Sequence, residues 1–266
     1  MSEPHAIVTE EAGILIFTLN RPDKLNALSN ELFEALDDSL LRFRDTPELK
    51  VMLIRATGRY FCAGVDLKSG GGSDEIADTG VKIRERHRTQ NFGMHRIYDE
   101  MEHIEKPIVV AHQAACVGGG LELSLSCDFR LAAASASYAF PEGKFGVLPA
   151  SNGVSRLTRY VGPHWARYLI MANRPADAQK ALVMGLVHEV YPDESFDEDA
   201  LDFCRHLAKQ HSEQMGAAKI AIEMAHELGR DQARHVERMA NSTLMLNPGY
   251  LDGIRRHIDG VGGSKK

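Results

Sequence analysis

The chain has 266 residues, 44% of them hydrophobic and 26% charged, which allows one large domain with a sizeable core, or one domain with a smaller appendage. A formal net charge of −6 argues against nucleic acid as a partner, because nucleic acid is met by basic faces. No run of about 18 apolar residues offers a membrane span, and the acidic opening "MSEPHAIVTEE" has neither a signal-peptide core nor an Arg-rich transit segment, so a cytoplasmic location is expected.

In chain order, "GILIFTL" (13–19) reads as a strand and "NRPDKLNALS" as a turn. A helix is predicted from Ser29, a good N-cap, with Leu32, Leu36, Leu40 and Phe43 on one face. "VMLIRA" (51–56) is a second buried strand that runs into the irregular "TGRYFCAGVDLKSGGGSD". Residues 80–105 read as one long polar helix that stops before Pro107, which opens the strand "IVVAHQAA". A short helix is predicted over 120–127, followed by strands in "FRLAAAS" and "SYAF". The next stretch, 161–192, reads as two helices, with Pro163 near the start of the first and Gly185 closing the second. From 194 the pattern is helical throughout. Strand pairs alternating with helices predict an α/β fold, with a core over 1–195 and a helical region over 196–266.

Several signatures are missing: GxxxxGK[ST], GxGxxG after a strand and GxSxG. In "HELGR" an arginine, Arg230, stands where a metalloprotease helix needs its second histidine. Cys62, Cys116, Cys127 and Cys204 form no CxxC pair, so they are read as reduced thiols, and no metal site is expected. What remains is two glycine-containing turns, "FCAGVDL" and "VGGGLEL", each placed after a strand. Glycine there lets backbone N–H groups point outward unhindered. Two such turns face to face would direct two donors at one oxygen, as an oxyanion hole does. On spacing alone, two plain tight turns are the favoured reading.

Five segments in order, "LNRPDKLNALS", "FCAGVDLK", "KPIVVAHQAACVGGGLELSLSCDFRLAAA", "YAFPEGKFGVLP" and "VSRLTRYVG", resemble the crotonase (enoyl-CoA hydratase/isomerase) superfamily over residues 19–162. The resemblance implies a crotonase-like spiral of strand–strand–helix units, with C-terminal helices that build a homotrimer or a dimer of trimers. It implies an acyl-CoA substrate and no separate cofactor, since coenzyme A enters within the thioester. The backbone donors would be Val65 and Gly119, and the catalytic carboxylates Glu122 and Glu142. Lys24 and Ala27 fall where the adenine end is held, while Ala63, Asp66, Leu67 and Lys68 match the substrate-contacting stretch, although Lys68 reads equally as a solvated lysine. Ala150 would offer its N–H to the water. Leu121, Leu123, Phe140 and Phe145 suggest an apolar surround that raises the carboxyl pKa values.

The chain departs from the family pattern in three places. His112 and Gln113 replace a usual "NG", so the local turn should differ. "PASNGV" (149–154) stands for "PGAGGT", so Ser151 and Asn152 put polar side chains where glycine usually lines the pocket, which points to an acyl group with polar or aromatic substituents. The ending "GYLDGIRRHIDGVGGSKK" replaces the segment that usually lies near the CoA phosphate. The leading expectation is a 2-enoyl-CoA hydratase. The alternatives are a Δ3,Δ2-enoyl-CoA isomerase, a hydroxycinnamoyl-CoA-type hydratase-lyase, and a non-catalytic subunit that keeps the fold.

Overall fold

The computed structural model describes residues 3–66, 80–89 and 92–262. It contains two compact units, Met1–Lys209 and Gln210–Lys266. Among the described residues no helix is long and apolar enough to cross a membrane.

The first unit opens with β1 (Ala6–Glu11) and β2 (Ile14–Leu19), paired antiparallel. All six residues of β2 are buried, as a strand covered on both faces requires. β1 is mostly exposed and polar, so no apolar alternation betrays it in the sequence. A 3-10 turn, Pro22–Lys24, leads to α1 (Asn30–Asp45). Ser29 caps α1 by accepting the Leu32 N–H at 3.3 Å, and Leu32, Leu36, Leu40 and Phe43 are buried. Then come β3 (Val51–Ala56) and β4 (Tyr60–Cys62). Within the span expected as one long helix, helix is described over α2 (Gly80–Thr89) and α3 (Phe92–His103). β5 (Ile108–His112), β6 (Ala115–Val117) and α4 (Gly119–Ser124) follow.

β7 (Phe129–Ala133) and β8 (Ser137–Ala139) precede a second 3-10 turn, Glu142–Phe145. α5 (Gly153–Ala166) is broken at Gly162, whose φ is +70°, so Pro163 begins a new helical stretch, as the sequence suggested. β9 (Ala176–Asp177), α6 (Ala178–Met184), β10 (Glu189–Tyr191) and α7 (Phe196–Ala208) complete the unit. Gly185 ends α6 in the left-handed region, as expected. The two short strands β9 and β10 interrupt what reads as helix in the sequence.

β1-β2-β3-β5-β7-β10 form one sheet and β4-β6-β8-β9 a second. Successive pairs β3/β4, β5/β6 and β7/β8 each give their first strand to the large sheet and their second to the small one, which generates the strand–strand–helix spiral. α7 packs on β2, β3, β5 and β7 and buries Phe196, Ala200, Leu201, Cys204 and Leu207. The division therefore falls after Lys209 and not at 195/196, because α7 covers the large sheet of its own chain. The second unit holds α8 (Ser212–Glu227), α9 (Arg230–Met245) and α10 (Pro248–Gly262).

Asn26 secures the loop before α1. It is wholly buried with φ +53°, accepts the Arg21 N–H at 2.7 Å, and donates to the carbonyls of Thr57 at 2.7 Å and Tyr60 at 2.8 Å. Asn26→Asp keeps the shape but cannot donate, so the Thr57 carbonyl loses this donor and the Tyr60 carbonyl keeps only that of Gln113, beside a buried carboxyl. The expected loss is about 2–4 kcal/mol of unfolding free energy, read by urea titration. A loss below about 0.5 kcal/mol would contradict this role.

Candidate active site

The small sheet decides which turns meet. β4 and β6 are parallel with Cys62 opposite Cys116, and β6 and β8 are parallel with Cys116 opposite Tyr138 and Val117 opposite Ala139. Their C-terminal ends therefore emerge side by side, carrying the turns at Gly64–Val65, Gly118–Gly119 and Pro141–Glu142. Open α/β sheets place their sites at strand C-termini for the same reason.

Residues 25–28 run alongside the first turn. Leu28 N–H donates to the Gly64 carbonyl at 2.8 Å and Asp66 N–H to the Leu28 carbonyl at 2.9 Å, a parallel bridge centred on Val65. In such a bridge the central residue's own N–H points to the opposite side, and on that side lies Gly119. A Cβ on Gly119 would stand 2.9 Å from Val65 Cγ2 and 3.3 Å from Val65 N. Gly119 opens α4, so its N–H has no acceptor within the helix, and the helix dipole adds positive potential there. Two backbone donors thus stand against each other with no side chain between them. The other two glycines of the run are needed for closeness as well. A Cβ on Gly118 (φ +55°) would stand 2.8 Å from Glu142 Oε1, and one on Gly120 would stand 2.5 Å from Cys62 Cβ.

Glu122, one turn into α4, is 4% exposed. Its Oε1 accepts the Ser151 N–H at 2.7 Å, and the nearby Gly153 N–H, the first of α5, also favours the charged carboxylate. Burial pushes the Glu122 carboxyl up to about 7, against the two N–H groups and Arg156 and with help from the negative charge of Glu142. Arg156 does little here because it is bound to Asp99 at 2.9 Å and Glu102 at 2.5 Å, both on α3. Burial also raises Glu142. Its Oε2 is buried and has no hydrogen-bond partner among the described residues.

α3 holds this arrangement from behind. His95 reaches the Ala150 carbonyl through Nε2 at 3.3 Å, Asp99 accepts from Asn152 Nδ2 at 3.1 Å, and Tyr98 donates its hydroxyl to the Gly119 carbonyl at 3.2 Å. These residues, with Glu102, recur at the three- and four-residue spacing of one helix face. That stripe in "HRIYDEME" was the signal by which Tyr98, Asp99 and the 149–153 turn could have been found; Ser151 and Gly153 as donors to Glu122 carry no such signal.

The expected binding residues divide. Ala27, Ala63 and Asp66 lie together, since Ala63 N–H donates to the Leu25 carbonyl at 3.0 Å and Arg21 pairs with Asp66 at 3.0 Å. Lys24 is exposed in the 3-10 turn before them, and Ala150 is exposed on the turn that seats Glu122. Leu67 and Lys68 lie outside the described residues. Leu121, Leu123 and Phe140 are buried as expected, but Phe145 is 71% exposed and is no part of the apolar surround. Asn152 adopts the left-handed region that asparagine tolerates, and its amide turns to Asp99 on α3, so it acts as a fastening of the turn. The changed "NG" turn is a bend in which Gln113 Nε2 donates to the carbonyls of Gly58 and Tyr60, each at 3.1 Å. Among the described residues no cluster of three His, Cys, Asp or Glu side chains could hold a metal ion.

Known proteins share this arrangement of the chain. It is 33% identical over 260 residues to the carnitinyl-CoA dehydratase of Salmonella enteritidis PT4, covering 96% of this chain and 88% of that one. The solved enoyl-CoA hydratase of Bacillus anthracis superposes with a TM-score of 0.86 at 27% identity, covering 96% of both chains. The enoyl-CoA hydratase of Thermoplasma volcanium GSS1 gives 0.84 at 27% identity, covering 96% of this chain and 97% of that one. Residues 9–253 match the family described as enoyl-CoA hydratase/isomerase, and with that match the chain belongs to this family and to the crotonase superfamily.

Proposed function

We propose that this protein is an enoyl-CoA hydratase that adds water across the double bond of a 2-enoyl-CoA to give a 3-hydroxyacyl-CoA. In this reading the thioester oxygen sits between the N–H groups of Val65 and Gly119. As hydroxide is delivered to C3, the electron pair of the double bond moves onto that oxygen as an enolate, and the two donors stabilise the developing charge. Collapse of the enolate takes a proton at C2. One carboxylate of the pair receives the proton from water and the other supplies the proton to C2. No electron is gained or lost, so the reaction asks for no redox group. The thioester's CoA portion would lie against Lys24, Ala27, Ala63 and Asp66, with Leu67 and Lys68 following.

One observation carries the choice of hydration over isomerisation. Glu142 keeps a buried oxygen with no partner beside the Gly118–Gly119 turn, near enough to Glu122 to raise it. An isomerase needs a single carboxylate to move a proton between C4 and C2, so this second one would have no task. A dehydratase acting on a 3-hydroxyacyl thioester, the reaction in the name of the Salmonella relative, is the same chemistry run backwards. The turn of Asn152 toward Asp99 removes one reason to expect a polar acyl group and a hydratase-lyase.

Three outcomes follow from the reading. Glu122→Gln and Glu142→Gln should each slow hydration by about 10²–10⁴, and the double variant should be scarcely slower than either. If one of them left hydration intact, or if one kept full 3-enoyl to 2-enoyl conversion while the other abolished it, an isomerase would fit better. The pair needs one proton between its two members, and it is the pair that titrates. A carboxyl raised to about 7 is protonated below that pH and ionised above it. kcat/KM should therefore fall above pH about 7, as the pair loses its last proton, and fall again in acid, as Glu142 gains a second. A flat profile from pH about 5 to 9 would contradict the shared proton.

The third outcome concerns assembly. Within the second unit Met239, Leu246, Leu251 and Ile258 are each more than half exposed, an apolar surface of the kind that packs between subunits. The apolar stripe of α7, with Leu201, Cys204 and Leu207, is spent on the chain's own core. Light scattering should return three or six times 29.4 kDa, and a monomer at micromolar concentration would rule the trimer out.

A further inference from the structure

His112 ends β5 with no exposure to solvent, and the reaction described above makes no use of it. Both of its ring nitrogens are engaged. Nε2 lies 2.8 Å from Ser124 Oγ and Nδ1 lies 3.1 Å from Tyr138 Oη. Burial, with Arg130 nearby, holds the imidazole down to about 3, so it is neutral and has one donor and one acceptor nitrogen. Either tautomer satisfies both hydroxyls. The ring also meets Phe61 edge-on at 4.7 Å and Tyr138 at 5.2 Å between centroids, which fixes its orientation.

These four contacts reach the three elements from which the site grows. Phe61 is in β4, just before the Val65 turn. Ser124 is the last residue of α4, two residues beyond Glu122. Tyr138 is in β8, four residues before Glu142, and the buried Phe140 and the ring of Pro141 leave little slack between them. β4, β6 and β8 are joined by backbone ladders, and α4 is anchored at its start, where the Gly118 N–H donates to the Ala139 carbonyl of β8 at 2.9 Å and Tyr98 bonds the Gly119 carbonyl; at its other end Ser124 reaches His112. Anchored at its start alone, a six-residue helix can still pivot, and the directional hydrogen bond at Ser124 fixes its far end.

We propose that His112 is a positioning residue that sets the separation of Glu122 from Glu142, by tying α4 to β8 through Ser124 and Tyr138. The proposal rests on the reading of these carboxylates as the reacting pair. A misplacement of about 1 Å between reacting groups costs about 10² in rate, while the thioester grip at Val65 and Gly119 involves neither hydrogen bond.

The test compares the parent enzyme, His112→Phe, and the triple variant His112→Phe/Ser124→Ala/Tyr138→Phe. The single variant keeps an aromatic ring but leaves two buried hydroxyls without their partner, and it can fail to fold. The triple variant removes those hydroxyls as well, so it is expected to regain stability. For each, kcat and KM with a 2-enoyl-CoA are measured, with the dissociation constant of butyryl-CoA as a non-reacting probe of the thioester grip. The expected result for the folded triple variant is a kcat lower by about 10 to 100-fold, with KM and the butyryl-CoA constant within about threefold of the parent. A folded triple variant with parental kcat overturns the proposal and leaves the hydratase reading intact. An equal loss in kcat and butyryl-CoA binding also overturns it, because the defect would then be general. A parent that adds water to none of the 2-enoyl thioesters removes the hydratase reading, and the proposal with it.

Discussion

The site depends on the parallel pairing of three very short strands, with a register shift in β4 between Tyr60 and Cys62. β4, β6 and β8 each have three residues, yet their alignment brings Val65, Gly119 and Glu142 to one edge of one sheet. A shift of one residue in any of them would turn a donor or a carboxylate to the wrong face. The triple glycine follows from the same constraint. At Gly118 the backbone needs a positive φ beneath Glu142, at Gly119 it must touch Val65, and at Gly120 the helix must lie on Cys62. Close packing and exposed backbone donors are thus a single requirement, and a Cβ at any of the three would push the turns apart.

The electrostatics of Glu122 rest on a balance. Burial disfavours its charge, two backbone N–H groups at the start of α5 favour it, and burial prevails. Arg156 could have tilted that balance strongly, since a guanidinium beside a buried carboxylate lowers its pKa by one to three units. Its charge is instead matched by Asp99 and Glu102. The α3 carboxylates therefore protect the raised pKa of Glu122 by occupying the cation, and Asn152 uses one of them to fasten the turn that supplies the Ser151 donor. A carboxyl that titrates near neutrality can both take and give a proton, which is what hydration asks of the pair.

Much of this was legible in the sequence, and the gaps have physical causes. β2, β3 and β5 are continuous apolar runs because both faces are covered, and α1 shows its buried stripe and its cap. The two glutamates and the two glycine turns could be named from the family pattern, and the structure brings both turns and both side chains to one place. β1 escaped because it is a polar edge, and β9 and β10 because two or three residues carry no period. The sequence places the end of the core before α7 because this helix has the same amphipathic pattern whether it covers its own sheet or a neighbour. Asn152 reads as a pocket side chain because its partner, Asp99, is distant in sequence; only its tolerance of the left-handed region is local information.

The central claim is that Val65 and Gly119 aim two N–H groups at one thioester oxygen. The most direct measurement is the carbonyl stretch of an enoyl-CoA labelled with carbon-13 at the thioester carbon, recorded by difference infrared spectroscopy on the Glu122→Gln variant, whose expected slow turnover keeps the substrate bound. Two donors in a water-poor site polarise the C=O bond more than bulk water does, so the band should move to lower frequency than in water. A band at or above its frequency in water would mean that the oxygen lies elsewhere, and the account of the site would fail.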